Sequence, residues 1–168
     1  MKSVTQTRPV QWVINNARTI YYPWLYKKFE ADKIIEGLYL GSLETACDEK
    51  GLKENGVTHI VTAIYKVQPQ FPDSDFEYHM VPVIDIPEAE ICKYFDKCFD
   101  FIDDAIKNGK TVLVHCAFGV SRSSTLVCAY LIKKHNLTVS QAVHLIQSKR
   151  PKADPNAGFL KQLIEISK

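Results

Sequence analysis

Residues 111–124 constrain the fold of this chain more than any other stretch. Thr111-Val112-Leu113-Val114 is a short, continuously apolar run rich in β-branched residues, which suits a central strand buried on both faces. His115 and Cys116 follow, then five small or apolar loop residues, then Arg122 at the entry to a helix over residues 123–135. That helix is apolar almost all round until Lys133, Lys134 and His135, which complement the negative end of its dipole. A buried strand running into a buried helix belongs in the middle of a layered domain.

The surrounding sequence fits that frame. From about residue 32 it alternates strands and helices, the pattern of an α/β domain. Residues 33–41 read as two short extended pieces around a Gly, and Ser42 or Glu44 opens a helical stretch ending near Asn55-Gly56. Residues 57–63 and 76–83 fit buried strands, separated by a loop with Pro69, Pro72, Asp73 and Ser74. Residues 91–107 give the cleanest amphipathic helix: Ile91, Phe95, Cys98, Phe99, Ile102 and Ile106 recur at three- and four-residue steps. Thr138 and Gln141 form a capping box for a helix through Lys149, and Asn156 caps a last helix whose inner face is Phe159, Leu160, Leu163 and Ile164. At 168 residues, with 46% apolar and 24% charged types, one soluble domain is expected. No stretch approaches the ~20 uncharged apolar residues that span a bilayer, and no signal peptide is recognisable.

The chemistry concentrates in the loop after the buried strand. Ala117, Phe118, Gly119, Val120 and Ser121 are enough to close around a tetrahedral anion with backbone N–H groups inward, and Gly119 supplies a backbone free to take unusual dihedrals. The helix beyond adds unpaired N–H groups and a positive dipole end. The same field lowers the pKa of a thiol, so Cys116 is expected to be a thiolate at neutral pH. Arg122 can hold two phosphate oxygens at once through its planar guanidinium. An oxygen leaving group needs a proton, and Asp85, following a strand and flanked by Pro82 and Pro87, is the best acid, with Glu88 or Asp73 as alternatives.

His115-Cys116, Arg122-Ser123 and the upstream Asp85 together resemble the cysteine-based protein tyrosine phosphatase superfamily, and in particular its small (atypical) dual-specificity phosphatases. Further matching marks are Gly37-Leu38-Tyr39-Leu40-Gly41-Ser42, Gly56-Val57-Thr58-His59-Ile60-Val61, Ala129-Tyr130-Leu131, Arg150-Pro151 and the run from Asn156 to Leu163. The resemblance implies a mixed, mostly parallel central sheet flanked by helices, and a two-step hydrolysis that uses no metal and no cofactor. In that mechanism Cys116 forms a phosphocysteine, Arg122 holds the equatorial oxygens, and Asp85 donates a proton and then accepts one from water. Ser123 helps the thiolate leave, His115 orders the loop and lowers the thiol pKa, and Asn156 braces neighbouring loops. The implied substrates are phosphotyrosine and phosphoserine or phosphothreonine in phosphoproteins. One departure is Phe118, where the family usually has Ala; it either packs against the core or lines the substrate entrance.

Residues 1–30 form a basic, aromatic extension ahead of a catalytic domain over 31–168. Residues 1–29 hold Lys2, Arg8, Arg18, Lys27 and Lys28 with no acidic residue, although the whole chain is only +2. Three readings of that extension stay open: a helix packed over the core, a partner or membrane-surface contact, or a targeting peptide. Its aromatics favour packing. Overall charge balance gives no reason to expect a nucleic-acid partner. Five cysteines at irregular spacing argue against a disulfide framework, and a cytoplasmic or nuclear location is expected. A second cysteine could protect Cys116 when oxidised, but spacing singles out none. The loop lacks the Lys or His that a multiply charged headgroup would call for, so inositol-lipid and RNA 5′-triphosphate substrates rank below protein. A phosphoprotein-binding module without turnover is the alternative from another class; the presence of Cys116, Arg122 and Asp85 weighs against it.

Overall fold

The structure, a computed structural model, describes residues 29–168. The expectations for residues 1–28 lie outside the described residues. The sheet comprises β1 (Asp32–Ile35), β2 (Leu38–Ser42), β3 (Val57–Thr62), β4 (Glu77–Met80) and β5 (Thr111–Cys116), in spatial order β1-β2-β5-β3-β4. β1 runs antiparallel to β2 and the other pairings are parallel, so the sheet is mixed and mostly parallel. The apolar run that dominates the sequence is its centre: Val114 faces Leu40 on one side and Val61 on the other.

Side-chain alternation divides the core into two layers. Leu38, Leu40, Val61, Val112 and Val114 point into the larger one, with α3 (Phe95–Lys107), α4 (Arg122–His135), α5 (Val139–Lys149) and α6 (Ala157–Ile166). Ile60 and Leu113 point into the other, against α1 (Leu43–Ala46) and α2 (Glu49–Glu54), where Phe29 meets Tyr39 at a ring separation of 5.7 Å. α4 is buried over most of its length, as its apolar composition requires, and ends on Asn136 in the left-handed region at φ 54°. The Thr138–Gln141 capping box forms as expected.

Three boundaries differ from the sequence reading, each for a local reason. The helical stretch before Asn55 splits into α1 and α2, because the Asp48 carboxylate accepts from Gly51 N at 3.0 Å and starts a second helix there. β4 ends at Met80 rather than at residue 83: Val81 N makes a last bond to Thr62 O at 2.9 Å, and Pro82 has no N–H with which to continue. The helix expected over 91–107 opens with a 3₁₀ turn at Cys92–Tyr94 before α3 begins.

The parallel strands β2, β3, β4 and β5 all end on one edge of the sheet, which places the loops after Thr62, Met80 and Cys116 side by side. α6 packs against α4, and its Phe159 is fully buried in the larger core layer. Phe159→Ala is expected to lower the stability of the domain by about 3–5 kcal/mol, read as a shifted denaturant midpoint with an unchanged slope.

Candidate active site

Cys116 is the last residue of β5 and Arg122 the first of α4, so the loop between them joins the central strand of the sheet to the most buried helix. Its carbonyls all find partners outside the loop. Ala117 O accepts from Leu43 N at 3.2 Å, Val120 O from Asp154 N at 2.8 Å, and Ser121 O from Thr125 N and Oγ1 at 2.8 Å each. Phe118 O and Gly119 O accept from Arg150 Nη2 at 3.2 Å and Nε at 2.7 Å. In a planar trans peptide the N–H points opposite to the carbonyl, so carbonyls held outward leave the N–H groups of residues 118–122 facing inward.

Gly119 makes this closure sterically feasible. Its φ is +68°, and a Cβ there would overlap the Arg150 guanidinium and the Gly41 carbonyl. Gly119 N in turn donates to Cys116 Sγ at 3.2 Å, and Ser123 Oγ donates to the same sulfur at 3.2 Å. Burial of Cys116, only 1% exposed, opposes ionisation. The Ser123 hydroxyl, the N–H groups of Ser123 and Val120 and the charge of Arg122 outweigh it, and the thiol pKa falls below its ordinary value. Cys98 and Cys128 are buried without such donors, and burial alone pushes each thiol up to about 12.

His115 is fully buried, and burial, aided by the charge of Arg122, drives its pKa down to about 4 despite its bond to the Cys116 carbonyl. The ring is therefore neutral at physiological pH. Since a carbonyl can only accept, Nδ1 carries the proton toward Cys116 O at 3.4 Å, and Nε2 accepts from Thr62 Oγ1 at 2.9 Å. His115 thus ties the start of the loop to the end of β3. It places no imidazolium charge beside the sulfur.

Asp85 reaches the loop from the segment after β4. Its Oδ1 accepts from Ser121 Oγ at 2.7 Å and from Asn156 Nδ2 at 3.0 Å. Its Oδ2 lies 3.3 Å from Arg122 Nε, an ion-pair distance without hydrogen-bond alignment, so that buried N–H keeps its donor unmatched. The other end of Asn156 accepts from Phe159 N at 3.0 Å, capping α6, so one side chain joins the acid segment to the last helix. The segment is fastened further along: a Cβ on Gly158 would overlap the Pro87 carbonyl, while Gln162 Nε2 donates to Ala89 O at 2.9 Å and its Oε1 accepts from Cys92 N at 3.0 Å.

The structure therefore brings together Cys116, Arg122, Asp85, Ser123 and Asn156. Ser121 uses its hydroxyl on Asp85 and Asn156 N (3.2 Å), which gives it a bracing contact besides its backbone place in the loop. Phe118 does not pack against the core: it is 73% exposed. Thr62 and Asp32 went unnoticed in the sequence and Arg150 received no role there, because each acts through a contact with a distant residue. The arrangement can ionise a thiol, surround a tetrahedral anion with donors and offer a carboxyl group beside it.

Comparison with known proteins agrees with this geometry. Residues 38–168 match the family model for the dual specificity phosphatase catalytic domain. The chain is 45% identical over 168 residues to dual specificity protein phosphatase 1 of Arabidopsis thaliana, covering 99% of this chain and 81% of that one. It is 43% identical over 139 residues to dual specificity protein phosphatase 1B of the same plant, covering 83% of each. Among solved structures, that of DUSP15 superposes with a TM-score of 0.78 at 39% identity, over 82% of this chain and 86% of the other. A protein tyrosine phosphatase-like architecture around a buried Cys116–Arg122 loop, joined to this sequence similarity, makes the chain a member of the dual specificity phosphatase family of enzymes.

Proposed function

We propose that the protein hydrolyses phosphotyrosine and phosphoserine or phosphothreonine in protein substrates through a phosphocysteine intermediate. The observation that carries this reading is the convergence on one buried sulfur of Gly119 N and Ser123 Oγ, with Asp85 and Arg122 3.3 Å apart beside the same loop. The Cys116 thiolate attacks phosphorus, the bond to the substrate oxygen breaks, and the protonated Asp85 carboxyl gives that oxygen its proton. The inward N–H groups and the unmatched donor of Arg122 take the charge on the phosphoryl oxygens. Water then attacks the phosphocysteine and gives a proton to Asp85. The S–P bond breaks, inorganic phosphate leaves, and the Ser123 hydroxyl bonds to the returning thiolate.

Protein substrates are supported by the rim of the site. Tyr65, Ile84, Ile86 and Phe118 are exposed and sit in the loops after β3, β4 and β5, which share the catalytic edge of the sheet. Such a rim suits the apolar surroundings of a phosphorylated side chain in a peptide. The multiply charged headgroup of an inositol lipid calls for cations instead. A reducing compartment, cytoplasm or nucleus, suits a reactive thiol with no disulfide role.

Cys116→Ser should abolish hydrolysis of a small aryl phosphate while leaving phosphopeptide binding measurable by calorimetry; near wild-type turnover would remove Cys116 as nucleophile. Asp85→Asn should slow aryl phosphates with poor leaving groups by about 10²–10⁴-fold and those with good leaving groups far less, and equal losses would refute an acid role. Because the Cys116 pKa is lowered, its alkylation by iodoacetamide should reach its plateau at a lower pH than that of an ordinary thiol. Cys98 and Cys128 should stay unmodified throughout, as mass spectrometry of the modified peptides will show.

A further inference from the structure

We infer that Arg150 is a positioning residue of the reaction, fixing the two peptide planes on either side of Gly119 so that their N–H groups face Cys116 Sγ. The inference rests on Cys116 being the nucleophile, as proposed above. Arg150 lies at the C-terminal end of α5, is 4% exposed, and stands 34 positions after Cys116 in the chain. Its three guanidinium nitrogens are each engaged: Nε with Gly119 O at 2.7 Å, Nη2 with Phe118 O at 3.2 Å, and Nη1 with Asp32 Oδ2 at 2.6 Å.

Those two carbonyls belong to two particular peptide units. Phe118 O shares its plane with Gly119 N, which donates to Cys116 Sγ at 3.2 Å. Gly119 O shares its plane with Val120 N, whose N–H helps to hold the Cys116 thiol pKa down. A trans peptide carries its N–H and C=O on opposite sides, so a donor that holds the carbonyl on one side sets the direction of the N–H on the other. A cation on the oxygen also polarises the amide and strengthens the bond its N–H makes. Arg150 therefore acts on the sulfur through two peptide planes without touching it.

The fork explains why arginine stands here. Two carbonyls and a carboxylate in three directions match the planar arrangement of Nε, Nη1 and Nη2, whereas a lysine would present a point donor. Asp32, on the antiparallel edge strand β1, partners the buried charge and holds the fork from behind. Gly119 completes the arrangement, since any side chain there would displace the guanidinium.

The test uses the full-length protein and its Arg150→Met and Arg150→Lys variants. The readouts are the Cys116 pKa from the pH dependence of iodoacetamide alkylation, competitive inhibition by inorganic phosphate, and melting temperature. Arg150→Met is expected to raise the thiol pKa by about one unit and to weaken phosphate inhibition by about tenfold. Arg150→Lys should recover part of both. If both variants melt earlier yet keep the wild-type thiol pKa and phosphate inhibition, Arg150 only packs the core and the inference is overturned. If Arg150→Met does not fold, Arg150→Lys decides alone, with wild-type values for both readouts overturning it. A wild-type protein that does not hydrolyse aryl phosphate would defeat the proposed function instead, a failure distinct from that of the variants.

Discussion

A negative charge buried in protein must be solvated by protein, and the catalytic edge of this domain is organised around that requirement. The sulfur of Cys116 has almost no access to water, so its ionised form survives only if donors stand in for the lost hydration. Backbone amides serve well, provided the carbonyl of each peptide is engaged elsewhere. From Ala117 to Ser121 every carbonyl is engaged, by α1, by Arg150, by the turn before α6 and by α4 itself. The loop is thus held by its outer surface, and the inner surface is what remains.

The same logic separates one cysteine from the others. Cys98 and Cys128 are buried in α3 and α4 among apolar neighbours, and desolvation acts on them without opposition. Cys116 is nearly as buried, and the difference lies in hydrogen-bond donors rather than in depth. His115 follows the same pattern. It is neutral at physiological pH, and its contribution is the span between β5 and Thr62 of β3.

Most of the machinery that was legible from spacing lies within one continuous segment. A buried strand, a Cys, a Gly-containing loop and an Arg opening a helix state their relation through spacing, and Asp85 could be nominated from its place between Pro82 and Pro87. What stayed hidden depends on residues far apart in the chain. Arg150 and Asp32 are 118 positions apart, and Asn156, which the family resemblance gave only as a brace of neighbouring loops, meets Asp85 across 71. No periodicity or local composition encodes such meetings. The splitting of α1 from α2 was hidden for a different reason: Asp48 is one polar residue among several, and its capping bond to Gly51 emerges only once the backbone direction is set. The fate of Phe118 was undecided in the sequence because a large apolar residue satisfies either a core or a rim, and the tight outer fastening of its loop leaves the rim.

The contact between Gly158 and Pro87 bears on how substrate selection is divided within the site. With the start of α6 lying directly on the Asp85 segment, and Asn156 and Gln162 clamping it on either side, the proposed proton donor is held in place by the fold itself. Assembly of the catalytic groups then need not wait for a substrate to mould them. On the proposed function, discrimination among phosphorylated proteins would fall instead to the shape and apolarity of the entrance, a division of labour in which the chemistry is generic and the doorway is selective.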